Sequence, residues 1–420
     1  MAGIIIVACG NAVMKFKALA LTVLLLMAGH AQAQPAWTFE RVLQSALDSH
    51  PAIMGKRSGQ AAARADKKGA EWLRYPTPSI EAATQGNGKD SGLLRIEQPL
   101  WAGGRITAAI DAAGSRLDAA DAALTEAELD LTLRVIAAYT EALRQKARQQ
   151  YAQEGVDEHE KLLGMIRRRV EHEVSSRTDQ RLAESRLYQA INDLSQATQA
   201  YNNALAQLAQ LSGKPVADIS EQEVSALGAP SSLEAALSQA LGYSPTLRRL
   251  MHEEEAANAD IDSKRSAYMP QLSLRLEKSV AQGQTQNNSA MLVLQAQPGA
   301  GLSAGSGVDA AIARREAARM AREAAERSTS ERVTLDWNEW VAAGLRQKNA
   351  AQSRAMSTDV FESYTRQYVI GRKSWIDVLN AVREATLAQF ALEDARAQVI
   401  AASLRLRAQA GTLAGMANSR

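Results

Sequence analysis

The stretch 187–211, LYQAINDLSQATQAYNNALAQLAQL, places Leu187, Ala190, Leu194, Ala197, Tyr201, Ala204, Leu208 and Leu211 on successive a and d positions of a heptad. A second run carries the same phase: Ala385, Ala388, Leu392, Ala395, Val399, Ala402 and Leu406. Alanine at alternate seam positions lets two backbones approach closely, and the rest of each helix surface is polar. Upstream of each run lies a proline-free stretch, 104–172 and 307–370. As single helices these would each be on the order of 100 Å long, at about 1.5 Å per residue. No compact globule of this size holds two such rods.

The two heptad runs belong to an internal duplication. Phe39-Glu40, Val42-Leu43, Ala46-Leu47 and His50-Pro51 recur as Leu233-Glu234, Ala236-Leu237, Ala240-Leu241 and Ser244-Pro245. Tyr75-Pro76 is echoed by Tyr268-Met269-Pro270, Gln98-Pro99 by Gln297-Pro298, and Ser176-x-x-Asp179 by Ser374-x-x-Asp377. The offset stays between about 193 and 199 residues, far beyond the period of a solenoid. The predicted organisation is a first repeat over 34–212, a linker over 213–231, a second repeat over 232–413, and a tail over 414–420. The linker is placed where Gly, Pro and Ser interrupt the helical pattern.

Each repeat reads as helix, two strands, then two more helices. Helices are expected over 37–48 and 51–73, with Pro51 at a helix start, where its missing N–H does no harm, and Pro76 and Pro78 ending the run. Strands are expected over 79–85 and 92–98 around the turn Gly86-Asn87-Gly88-Lys89-Asp90, and over 271–280 and 290–297 in the second repeat. Leu94 and Ile96 alternate with Arg95 and Glu97, and Leu272, Leu274 and Leu276 with Ser273, Arg275 and Glu277. One apolar and one polar face suits a strand between lipid and water, although an ordinary half-buried hairpin gives the same pattern. Two such hairpins at matched positions favour the first reading.

The beginning of the chain reads as a leader. Lys15 and Lys17 precede the apolar run 18–28, and Ala31-Gln32-Ala33 forms an A-x-A cleavage signal, so a signal peptide is expected over 1–33, with Met14 as its true start. Ile6-Val7-Ala8-Cys9 loosely resembles a lipoprotein box but follows no basic residue. Cys9 is the single cysteine and leaves with the leader, so no disulfide or Cys-ligated metal is expected. Of 48 Lys and Arg against 46 Asp and Glu, Lys15 and Lys17 are lost, which leaves a balance of zero. That argues against a nucleic-acid partner, which calls for a basic face. No later segment reaches eighteen apolar residues, as a spanning helix requires.

Nothing here reads as an enzyme, and no cofactor is expected. His159, His172 and His252 sit beside glutamates without metal spacing and read as solvated helix surface. Gly213-Lys214 lacks the remainder of a phosphate-binding loop. Arg167-Arg168-Arg169 reads as a solvated face, with partner docking as the alternative. Trp101 suits either packing or anchorage at a bilayer edge.

The chain resembles the TolC family of outer-membrane efflux and secretion ducts over about residues 36–413, most specifically in Gln98-Pro99-Leu100-Trp101-Ala102-Gly103-Gly104-Arg105 and in Tyr368-x-x-Gly371-x-x-Ser374-x-x-Asp377-Val378-Leu379-Asn380-Ala381. The resemblance implies a mostly α chain with a small β-barrel: two repeats of long antiparallel coiled-coil helices plus four strands, three chains closing a twelve-stranded outer-membrane barrel above a periplasmic α-helical tunnel. It implies a strand-to-helix turn at Pro99, Trp101, Gly103 and Gly104, and tip turns at Ser176, Gly371 and Ser374. It implies a periplasmic constriction at Asp377 and Asn380, and a gate latch pairing Tyr368 with Asp179 and Lys373 with Thr178. The second glycine motif departs from the pattern as Gly299-Ala300-Gly301 and Gly305-Ser306-Gly307, and Glu173 stands where the second tip turn has Gly371.

The implied partners are a homotrimer, outer-membrane lipid, a periplasmic membrane-fusion adaptor, and an inner-membrane ABC transporter or proton-driven pump. The Gly-x-x-Ser-x-x-Asp-Val-Leu-Asn-Ala run resembles secretion ducts, so export of an unfolded protein in type I secretion is the expected use. A multidrug efflux duct is the alternative, and a poreless structural coiled coil a remote one.

Overall fold

In the computed structural model the described residues are 36–84, 90–220, 230–281, 287–297 and 303–413. The expected signal peptide and tail, the centres of both hairpin turns, and Gly299-Ala300-Gly301 lie outside them. The chain runs through α1 (Phe39–Ser49), α2 (Pro51–Trp72), β1 (Thr77–Thr84), β2 (Asp90–Trp101), α3 (Arg105–Glu171) and α4 (Arg177–Ser212). The same order then repeats as α5 (Leu233–Tyr243), α6 (Pro245–Arg265), β3 (Gln271–Ala281), β4 (Asn287–Gln295), α7 (Ala304–Val369) and α8 (Trp375–Gln409).

Local chemistry sets the helix ends. The Thr38 and Ser232 hydroxyls accept from the backbone N–H groups of Arg41 and Ala235, each satisfying a donor that the helix itself leaves orphaned. Pro51 and Pro245 occupy first-turn positions. The long helices hold 67 and 66 residues, about 100 Å each. α3 is wrapped by α2 and α6 along its upper part and by α1, α4 and α8 along its lower part, whereas α7 packs mainly on α5, α6 and α8. Burial follows: Leu131, Val135, Ile136, Tyr139, Leu162 and Ile166 of α3 are fully enclosed, while Leu335, Leu345 and Met356 of α7 remain exposed.

Two apolar clusters fix the ends of the lower helical section. At its upper end α1, α3, α4 and α8 meet around Val42, Tyr139, Leu208 and Leu404. There the Tyr139 hydroxyl donates to the Trp37 and Ser220 carbonyls, closing the linker back onto the first helix. At the lower end Leu162, Ile166, Tyr368, Trp375 and Leu379 form the core of the tip.

The four strands form one antiparallel sheet in the order β1-β2-β3-β4. β1 and β2 extend beyond the expected limits at the helix-facing end, because their prolines are tolerated, whereas β3 begins as expected and β4 ends two residues early. Pro78 lies in edge strand β1. Pro99 lies in central strand β2 at a register irregularity opposite Ser273, between Pro99 and Trp101. Prolines are confined to such edges and bulges, where no ladder N–H is required. Pro99 and Trp101 thus belong to the strand, and the turn proper is Gly103-Gly104, with φ of 59° and 90°. A Cβ on Gly103 would sit 2.5 Å from the Met269 Cβ, so the turn lies directly against the second repeat.

Candidate functional site: a two-faced sheet and a paired helical tip

Register decides which side chains share a face. Ile80 opposes Leu94, Ile96 opposes Leu276, and Leu274 and Leu272 oppose Leu292 and Leu294. These residues form one apolar face, with Leu94, Ile96, Leu276, Leu292 and Leu294 exposed. The reverse face is charged. Arg95 meets Glu277 at 2.7 Å, and Arg275 meets Glu97 at 3.1 Å. Ser273 also donates to Glu97 at 2.8 Å. A sheet with a dry outer face and ion-paired inner face separates lipid from a water-filled lumen. No helix among the described residues is long and apolar enough to cross a membrane.

Below the sheet, both helix pairs end in the same turn. In the first, the Val174 N–H donates to the Arg169 carbonyl at 2.8 Å; in the second, Arg372 donates to Gln367 at 2.9 Å. Both are six-to-one bonds of a Schellman closure around a left-handed residue. Gly371 has φ 77° and Glu173 has φ 59°, so glutamate adopts the backbone conformation that glycine supplies in the other copy. Ser176 and Ser374 then open α4 and α8 with reciprocal capping boxes to Asp179 and Asp377.

Those capping boxes dictate what the expected site residues do. The Asp377 carboxylate accepts the Ser374 hydroxyl at 2.7 Å and its N–H at 3.1 Å. These bonds, the hydroxyl first, hold its pKa below the ordinary aspartate range, despite the opposing cost of partial desolvation. Asn380 lies one turn further along α8, exposed. The Asp179 carboxylate is turned back to the Ser176 N–H at 3.3 Å, so within one protomer it does not receive the Tyr368 hydroxyl. That hydroxyl instead shares a 3.1 Å hydrogen bond with the Ser175 hydroxyl. Lys373 does not reach Thr178 either; its ammonium lies 4.1 Å from the Tyr364 ring centroid. No ion pair joins Lys373 to another described residue.

The tip also uses residues that periodicity did not single out. Trp375 is buried against Tyr368 with ring centroids 5.0 Å apart, and its indole N–H donates to the Asp179 carbonyl at 3.1 Å. Arg169 lies 4.9 Å over the Tyr368 ring and donates to the Ser175 hydroxyl. Within the arginine triplet, therefore, Arg169 is part of the fold, whereas Arg167 reaches Glu184 at an exposed site. Of the expected surface histidines, His159 is buried, because α3 is covered on several sides, and its Nδ1 has no hydrogen-bond partner. Burial, reinforced by Arg186, pushes its pKa down. Among the described residues no group of three or more His, Cys, Asp or Glu could hold a metal ion.

Comparison with known proteins gives the same architecture. The crystal structure of CusC matches with a TM-score of 0.79 at 17% identity, covering 89% of this chain and 91% of that one. VceC of Vibrio cholerae matches with a TM-score of 0.75 at 16% identity, over 89% and 96% of the two chains. The open state of the MtrE outer membrane channel of Neisseria gonorrhoeae matches with a TM-score of 0.74 at 19% identity, over 89% of each. No curated protein matches the sequence. The family model described as outer membrane efflux protein matches residues 42–214 and 236–412, both halves of the duplication. With its two-faced sheet and paired helical rods, the chain belongs to the outer membrane efflux protein family.

Proposed function

We propose that the protein is the outer-membrane duct of a multidrug efflux assembly, through which an energised inner-membrane pump expels small molecules. The observation that carries this reading is the efflux family match across both repeats. It supports efflux over the protein-secretion use that the tip motif suggests. The duct itself is passive: it supplies a lumen, and the assembly's pump supplies the energy. A periplasmic adaptor docks the duct to the pump, for which a proton-driven type is favoured over an ABC transporter.

Assembly with further copies follows from strand bookkeeping, and the number three from the resemblance to the TolC family. β1 and β4 are the open edges of the sheet, and unpaired backbone groups are costly in lipid. Three chains, edge to edge, close twelve strands. At the far end, three copies of Asp377 with Asn380 one turn further form a constriction that attracts cations. Replacing Asp377 by Asn removes the charge while leaving an oxygen able to cap α8. Reversal potentials of the Asp377→Asn trimer across a salt gradient should therefore show weaker cation preference than the parent.

Deleting the gene and following both cargo classes tests the function. Efflux predicts greater dye accumulation and greater sensitivity to small amphiphilic drugs, restored by the parent gene, with an unchanged profile of secreted proteins. Loss of one large protein from the medium at unaltered drug sensitivity would establish secretion instead.

A further inference from the structure

We infer that the joint between sheet and helices is a phospholipid headgroup site, in which Trp72, Tyr75 and Trp101 sit at the membrane surface and Arg74 and Arg105 hold lipid phosphates. The lowest row of the apolar face decides the level. Trp101 pairs with Leu272, which pairs with Leu294, so Trp101 lies on the lipid-facing side at the end of the sheet nearest the helices. Gln98 lies on that same face, opposite Leu274, and its side-chain amide donates to the Arg74 carbonyl at 2.9 Å. The segment Trp72-Leu73-Arg74-Tyr75 therefore passes along the outer side of the sheet, close to Trp101.

All three aromatic rings are largely uncovered: Trp72 is 60% exposed, Tyr75 56% and Trp101 49%. Trp72 and Tyr75 lean together with centroids 5.1 Å apart. Amphipathic rings with a polar tip favour the boundary between acyl chains and water. Arg74 lies between the first two rings in sequence, and Arg105 follows Trp101 by four residues. Both are exposed, and neither forms an ion pair among the described residues. Other arginines are engaged, Arg116 with Asp260 and Arg95 with Glu277. Unpaired guanidinium groups beside an aromatic belt, continuous with a lipid-facing surface, match the phosphates of the inner leaflet in charge and position. Anionic phosphatidylglycerol should be preferred over zwitterionic phosphatidylcholine.

The test reconstitutes the trimer in vesicles of phosphatidylcholine with or without phosphatidylglycerol, using acyl chains brominated near the headgroup or near the methyl end. Emission removed by Trp72→Phe or Trp101→Phe should be quenched more strongly by the shallow bromines. Spin-labelled phosphatidylglycerol should associate severalfold more than spin-labelled phosphatidylcholine. That ratio should fall towards one in the Arg74→Gln/Arg105→Gln variant and persist in the Arg74→Lys/Arg105→Lys variant. Tryptophans shielded from both bromine depths in an intact trimer would show that a neighbouring protomer covers the belt and would overturn the inference. So would stronger quenching by the deep bromines, or a lipid ratio unchanged by the glutamine variant.

Discussion

Glu173, at φ 59°, and Gly371, at φ 77°, perform the same turn with different intrinsic cost. A side chain in the left-handed region is disfavoured by about 1 kcal/mol relative to glycine, a strain that the Schellman bonds of the first tip turn must offset. Glu173→Gly should therefore raise the thermal midpoint of the detergent-solubilised protein, and Gly371→Glu should lower it. Equal midpoints would mean that the Glu173 side chain recovers the cost through contacts of its own. His159 offers a second test at this scale. Its buried ring is held neutral next to Arg186, with Glu158 and Asp193 as weaker, opposing neighbours. The unfolded chain takes up the proton near pH 6.5 while the fold resists it, so stability falls as pH drops below that value and is unaffected above it. Lowering pH from about 7.5 to about 5.5 should depress the parent's melting temperature more than that of His159→Phe. Equal depression would exonerate this side chain. Burial of His159 was not legible in the sequence, since its neighbours in α3 are charged and its cover comes from other helices.

At the scale of elements, the central strand pair carries a self-complementary motif. Leu94-Arg95-Ile96-Glu97 in β2 lies antiparallel to Leu274-Arg275-Leu276-Glu277 in β3, so each arginine opposes a glutamate. A slip of two residues would set Arg95 against Arg275, or Glu97 against Glu277. The polar face thus specifies register by penalising its neighbours, while the apolar face forbids a slip of one. Directly opposed charge pairs contribute about 0.2–1 kcal/mol each, and like charges destabilise by a comparable amount. Arg95→Glu should reduce the yield of heat-resistant trimer, and Arg95→Glu with Glu277→Arg should restore it. If the double variant is no better than the single one, the pairs do not set register. The alternation behind this zipper was readable in advance because it has a period of two. So were the long helices, whose missing prolines placed their ends close to the observed limits, and the heptad-bearing helices that follow them. Strand ends were less legible: Pro78 and Pro99 look like stops until pairing puts one on an edge and the other at a bulge. The repeated Ser176-x-x-Asp179 and Ser374-x-x-Asp377 motif was legible as a pattern but not in its capping role, whereas the contacts of Tyr368 and Trp375 join segments nearly half the chain apart.

For the whole molecule, the two repeats are unequal in cover, and the inequality bears on how the duct opens. α3 is enclosed by five other helices, but α7 packs on fewer elements and leaves Leu335, Leu345 and Met356 exposed. α7 is thus the less covered of the two long helices, and at the tip the second repeat is tied to the first by few polar contacts. The Tyr368 hydroxyl bonds the Ser175 hydroxyl, and the Trp375 indole bonds the Asp179 carbonyl. The Tyr368–Asp179 and Lys373–Thr178 pairs expected from resemblance are not formed within one protomer. Each such bond contributes about 1 kcal/mol net, so in the proposed trimer they would favour a closed tip by only a few kcal/mol. An adaptor that binds the open state better can supply that difference. Tyr368→Phe combined with Trp375→Phe removes both hydrogen-bonding groups while keeping an aromatic ring at each position. The double variant should raise resting conductance in planar bilayers and let large antibiotics leak into cells lacking the pump. Its effect should exceed that of either single change, as expected for contacts that hold one moving element. A double variant that forms trimers and conducts like the parent would place the latch elsewhere, between protomers and not between the two repeats of one chain.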